Sequence, residues 1–171
     1  SLVAIEINNC LPSMETPRGT EDYEGFYHLI SMQGEVGEAK LNYIVRDHDK
    51  NGFEERKKTL RLIEKNLNAK WGEGTVTLKI TDQYLNMKEI VEEHIHLIDH
   101  AKKACEAAGV APLILPIRGG TDGCQLSFKG LPCPNLGTGG HALHGPYEHI
   151  SVEGMEKSVE LLLALIQEYT K

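Results

Sequence analysis

The sequence predicts an α/β chain built from two unlike units. Two observations carry this expectation. Up to about residue 82 the apolar spacing reads helix, strand, strand, helix, strand. Beyond residue 86 it reads helix, strand, helix, strand, helix, an order that implies parallel strands beneath helices. A length of 171 residues suits one domain or two small ones. The expected division is 1–85 and 86–171, with the boundary in residues 83–88.

Residues 2–9 are expected to form a short helix stopped by Pro12. A polar stretch with Pro17 and Gly19 follows as a loop over 13–24. Phe26–Met32 and Ala39–Val45 read as strands joined through Gly34 and Gly37, a hairpin signal. Leu60, Ile63 and Leu67 recur at helical spacing among charges, so Phe53–Ala69 is expected to be an amphipathic helix ended by Gly72 and Gly74. Thr75–Thr81 alternates with period two and is rich in β-branched residues, a strand pattern. This order is a ferredoxin-like β-α-β-β-α-β unit without its first strand. The missing strand would leave an edge unpaired.

In the second unit Glu89–Ala108 reads as one helix with Gly109 as its C-terminal cap. Leu113–Ile117 reads as a short buried strand. Thr121 or Asp122 is placed to cap a short helix over 123–128, and Leu131–Leu136 reads as a strand broken by prolines. Ser151 is expected to cap a last helix over 153–169, with Met155, Val159, Leu162, Leu163 and Ile166 as an apolar stripe.

Composition excludes several function classes. Lys and Arg number 18 against 25 Asp and Glu, a net charge of −7 that argues against a nucleic-acid partner. No apolar run approaches the ~20 residues that cross a bilayer, so no membrane association is expected. Cys10, Cys105, Cys124 and Cys133 form no CxxC pair, and reduced thiols in a cytoplasmic protein are expected. The chain opens on Ser-Leu-Val-Ala-Ile without an initiator Met. Ser1 could be a cap or a remnant; equally, the chain is expected to begin partway through a larger fold.

Four stretches carry candidate chemistry. Asp47-His-Asp-Lys-Asn-Gly starts like a calcium loop, but Lys58 stands where the closing Glu belongs, so a turn capping the next helix is expected. His94, His96 and His100 crowd one helix without the Glu of a zincin pattern, and read as solvent-facing. Arg118-Gly-Gly-Thr-Asp-Gly follows a predicted strand, where ligands meet sheets. Arg118 could grip a carboxylate there, or the segment could be an ordinary tight turn; spacing leaves both open. Gly139-Gly-His-Ala-Leu-His144-Gly-Pro-Tyr-Glu148 sets two imidazoles and an acid on one loop, too few ligands to define a metal site alone.

These motifs, taken in order, resemble the tripeptide aminopeptidases of the M20 zinc metallopeptidase family. The resemblance rests on Pro116-Ile-Arg-Gly-Gly-Thr-Asp-Gly, Leu126-Ser-Phe-Lys-Gly-Leu-Pro-Cys-Pro-Asn-Leu, Thr138-Gly-Gly, His144-Gly, Glu148 and Glu153-Gly-Met-Glu-Lys. In the first half it rests on Gly25-Phe-Tyr-His-Leu, Tyr43-Ile-Val-Arg-Asp-His-Asp and Gly72-Glu-Gly-Thr-Val before Asn86-Met. It implies the later part of a ferredoxin-like lid followed by the C-terminal part of a zinc-exopeptidase α/β catalytic domain. It further implies two zinc ions in the complete enzyme, a tripeptide substrate and metal-assisted hydrolysis with a general base from a missing N-terminal half.

His144 is the one metal ligand the resemblance carries over, with Leu143 where the family has an aromatic. His141 falls on a non-ligand position. Arg118 would hold the substrate's C-terminal carboxylate, Asn86 would lie on the substrate side of the lid junction, and Glu148 would orient the His144 loop. The chain alone is expected to be inactive and to associate with the missing half or with itself. The rival expectation is a non-catalytic binding or assembly module that kept the fold.

Overall fold

The structure is a computed structural model describing residues 2–83 and 85–170. It divides into two compact units, one of residues 1–83 with Pro116–Arg118, the other of residues 84–115 and 119–171.

In the first unit α1 (Leu2–Asn9) precedes a hairpin of β1 (Phe26–Gly34) and β2 (Ala39–Arg46), and α2 (Lys50–Trp71) follows. The strands pair antiparallel from Phe26↔Arg46 to Gly34↔Ala39. A register irregularity between Leu29 and Ser31 interrupts the ladder. α2 begins where the would-be calcium loop ends. The Asp49 carboxylate accepts the Gly52 N–H at 2.7 Å as N-cap. Asp47 accepts the Asp49 N–H at 2.9 Å and pairs with Arg56. The acids that suggested calcium are spent on starting the helix.

Leu11, Tyr27, Ile63 and Leu67 form the buried core, with Ile7, Tyr43, Val45, Leu60 and Val76 packed around it. Each fully buried side chain of this kind contributes roughly 1.5–3 kcal/mol. Polar contacts fix the borders: Trp71 donates to Glu6 at 2.7 Å, and Tyr43 donates to Asn8 at 3.0 Å.

The strand expected at Thr75–Thr81 does not form; among the described residues this segment pairs with no strand. Side chains of α2 hold it instead. The Asn68 carboxamide donates to the Val76 carbonyl at 2.9 Å and accepts the Val76 N–H at 2.8 Å. Glu64 accepts the Leu78 N–H at 2.7 Å. Lys57, itself buried, donates to Asp82 at 2.8 Å. β-Propensity supplies an extended backbone, but a strand also needs a neighbour to complete its ladder.

The second unit holds α3 (Lys88–Glu92), α4 (His96–Ala107), α5 (Asp122–Phe128) and α6 (Val152–Glu168). The single helix expected over Glu89–Ala108 is therefore two. Between them His94 donates to Val91, Leu97 to His94 and Ile98 to Ile95, all i→i−3 bonds. This tight turn falls in Glu-Glu-His-Ile-His, where Ile and His are weak helix formers. Gly109 closes α4 at φ +71°, with its N–H on Glu106. Thr121, not Asp122, caps α5, and Ser151 caps α6.

The strands expected at Leu113–Ile117 and Leu131–Leu136 are also absent among the described residues. Nor is the first of them buried: Leu113, Ile114 and Leu115 are 77%, 63% and 65% exposed. α4 packs against α6. Among the described residues of this unit, Ala104, Ala108, Cys124, Ser127 and Leu161 have buried side chains. The α6 stripe of Met155, Val159, Leu162, Leu163 and Ile166 faces outward. All four cysteines are free thiols.

Candidate functional site

The His144 loop is a closed structure. His141 and His149 form an antiparallel bridge, His141 N–H to the His149 carbonyl at 2.8 Å and His149 N–H to the His141 carbonyl at 3.1 Å. Their rings stack with centroids 5.3 Å apart at 25°. Inside the closure Gly145 N–H donates to Ala142, and Glu148 N–H to Gly145, at 3.0 and 3.1 Å. Ala142 and His144 sit at φ +52° and +63°, the left-handed region that costs a non-glycine residue of order 1 kcal/mol or more. Glu148 offsets that cost by accepting the His144 backbone N–H at 2.9 Å. The glutamate thus grips the backbone of residue 144 rather than its imidazole, which stands exposed.

The sequence reading passed over His149. Its ring meets the Tyr147 carbonyl at 2.7 Å and covers His141. Only the spacing of two histidines flanking a glycine-proline turn could have signalled it.

Arg118 lies in the first unit. Its Nη1 donates to the Thr20 carbonyl and Nη2 to the Thr20 hydroxyl. The guanidinium carbon stands 4.8 Å from the centroid of Phe26, on β1. His48 contacts the Ile117 carbonyl next door at 3.2 Å, and its ring meets Tyr23 edge-on at 5.2 Å. Asn86, in the second unit, accepts the Lys88 N–H at 3.1 Å where α3 begins, a local turn contact. So the structure joins His144 to Glu148, and gives Arg118 a cradle of its own.

His94, His96 and His100 step along one side of the α3–α4 turn with centroids 6.0 and 6.1 Å apart, and His100 meets Tyr169 edge-on at 4.5 Å. Among the described residues no group of three or more His, Cys, Asp or Glu is arranged to hold a metal ion. One imidazole at residue 144 does not satisfy a zinc site, which takes three or four ligands. The residues of this chain alone do not fit a resident metal, and no catalytic step is derived through one.

Among the described residues no helix is long and apolar enough to cross a membrane. Peptidase family M20/M25/M40 matches residues 8–168, nearly the whole sequence. The chain belongs to this family. Peptidase T of Caldanaerobacter subterraneus subsp. tengcongensis is 49% identical over 170 residues, 99% of this chain and 42% of that relative. Peptidase T of Halothermothrix orenii is 53% identical over 168 residues, 98% of this chain and 41% of the relative. The chain thus spans less than half the length of these M20 relatives.

Solved structures agree on the fold. Aminopeptidase PepT from Bacillus cereus superposes with a TM-score of 0.65 at 21% identity, covering 99% of this chain and 45% of that one. A tripeptidase from Staphylococcus aureus gives 0.62 at 16% identity, covering 98% and 44%. The mixed α/β class is that of a portion of an M20 peptidase.

Proposed function

We propose that this chain is the C-terminal portion of an M20 aminopeptidase that removes the N-terminal residue from tripeptides in the cytoplasm. The observation that carries the reading is identity near one half to relatives named Peptidase T along almost the entire chain. Residues 1–85 would then be the later part of the lid and 86–171 the C-terminal part of the catalytic domain. The division into compact units near residue 83 supports that boundary.

In this reading the groups of the chain divide the work. Arg118 meets the substrate's terminal carboxylate, and Asn86 lies on the substrate side of the lid junction. His144 offers its imidazole to a dinuclear zinc site whose other ligands come from polypeptide outside this sequence. The exposed ring of His144 and the Glu148 grip on its backbone support that role, because the loop is shaped before any partner arrives. A general base is expected from the same outside polypeptide.

The test is tripeptide hydrolysis by the purified chain with added zinc, then with the remaining polypeptide of a Peptidase T relative supplied in trans. No turnover is expected from the chain alone, and chelator-sensitive turnover from the pair. Hydrolysis by the lone chain would overturn the division of ligands. A pair that binds zinc without hydrolysing any peptide would favour a non-catalytic module.

A further inference from the structure

This inference rests on the proposed meeting of Arg118 with a peptide carboxylate, and concerns what holds Arg118 ready. The guanidinium is half-buried, yet all its partners are uncharged oxygens. Nη1 and Nη2 each donate to Thr20, one to its carbonyl and one to its hydroxyl. Nη2 also approaches the Glu24 carbonyl at 3.5 Å. Nε is buried without an acceptor. Among the described residues no carboxylate pairs with Arg118. Arg56, in the same unit, shows the contrast: Glu15 and Asp47 both neutralise it.

Proton accounting fixes the role of the Thr20 hydroxyl. Its single hydrogen goes to the Thr16 carbonyl at 2.6 Å, so toward Arg118 it can only accept. The Thr16 hydroxyl and carbonyl in turn accept the Gly19 N–H, at 3.2 and 3.0 Å, closing the turn that carries Thr20. Phe26 covers one face of the guanidinium. The guanidinium is therefore fixed in plane and direction while no carboxylate among the described residues neutralises it, and two of its five N–H donors have no acceptor there. A half-exposed guanidinium without a paired carboxylate attracts an anion.

We infer that Thr20 is a positioning residue for Arg118: its two oxygens aim the guanidinium without neutralising it, so that a peptide's terminal carboxylate finds an oriented, unpaired cation. A side chain ordered beforehand loses less freedom when the ligand binds.

The experiment uses the full chain labelled with 15N. The Arg118 Nε–Hε resonance, assigned by its disappearance in Arg118→Lys, is followed as trialanine or trialanine amide is added. A saturable shift is expected with trialanine, and at least tenfold weaker binding of the amide. Thr20→Val should weaken trialanine binding about tenfold, the worth of one hydrogen bond to a charged group, and Thr20→Ser should restore it. Thr20→Ala is read alongside, so that a packing fault peculiar to valine does not decide the outcome; backbone amide spectra report folding. Unchanged or tighter binding in both Thr20→Val and Thr20→Ala would overturn the inference. No shift of Arg118 with trialanine would overturn it together with the carboxylate role. Hydrolysis by the reassembled enzyme is measured separately, so failure there leaves this binding result standing.

Discussion

Replacing Asn68 by alanine removes both halves of a contact that stands in for a strand pair. The carboxamide donates to the Val76 carbonyl and accepts the Val76 N–H, at 2.9 and 2.8 Å, at a partly buried position. Each such bond has a net worth of about 1 kcal/mol, so Asn68→Ala should cost about 2 kcal/mol. Val76 packs against the Leu11–Tyr27–Ile63–Leu67 core, so its release also loosens an apolar contact. For a unit of this size the loss lowers the melting temperature by roughly 10 °C. Urea unfolding followed by circular dichroism gives the free energy. Amide exchange at Val76 locates it: protection there should fall while the β1–β2 amides keep theirs. Asn68→Asp retains an acceptor but no donor, and should fall between the two. A loss under ~0.5 kcal/mol with Val76 still protected would refute the reasoning, because segment 75–83 would then be held by something else.

Two further outcomes follow from the same unit. A Cβ at buried Gly25 would overlap Asp47 Oδ2 and Arg56 Nε, so Gly25→Ala should part that ion pair and cost about 1–3 kcal/mol in thermal unfolding; a neutral result would mean that the pair yields freely. The Glu6 carboxyl is held below its ordinary value by hydrogen bonds from Lys70 and then Trp71. Its folded pKa is depressed, so its stabilisation is present above the unfolded value near 4.3 and is lost as pH falls through the folded one. Glu6→Gln should therefore flatten the acid limb of stability against pH, and an unchanged limb would exclude the contact from it.

Elements fixed by local chemistry were legible from residues alone. α2 starts at Asp49 and α6 at Ser151 because each side chain caps its own helix. The hairpin was legible because both of its strands lie within the chain, twenty-one residues from end to end. Segment 75–81 carries strand propensity as strong, but a strand is a relation between two segments and propensity describes one; 113–117 and 131–136 are further weakened by Pro116, Pro132 and Pro134. The Glu93–Ile95 turn was hidden because neither glycine nor proline marks it. Of the candidate site, Arg118, His144 and Glu148 stood out by residue type and position, and the family resemblance supplied the roles proposed for them. The resemblance did not extend to Thr20 or His149. Thr20 meets Arg118 across 98 residues of sequence, and His149 closes a loop that no periodicity encodes.

The run Pro112-Leu-Ile-Leu-Pro116-Ile carries a consequence for how this protein behaves in concentrated solution. Three exposed aliphatic side chains in a row are what cross-β stacking recruits. The two prolines confine the hazard. Neither has an N–H to give to a neighbouring strand, so stacked copies could complete their ladders over only the three residues between them. Fibril-forming segments need about six or seven residues. Pro112 and Pro116 are placed as gatekeepers of this exposed run, so replacing both should raise its tendency to form fibres, read by thioflavin fluorescence.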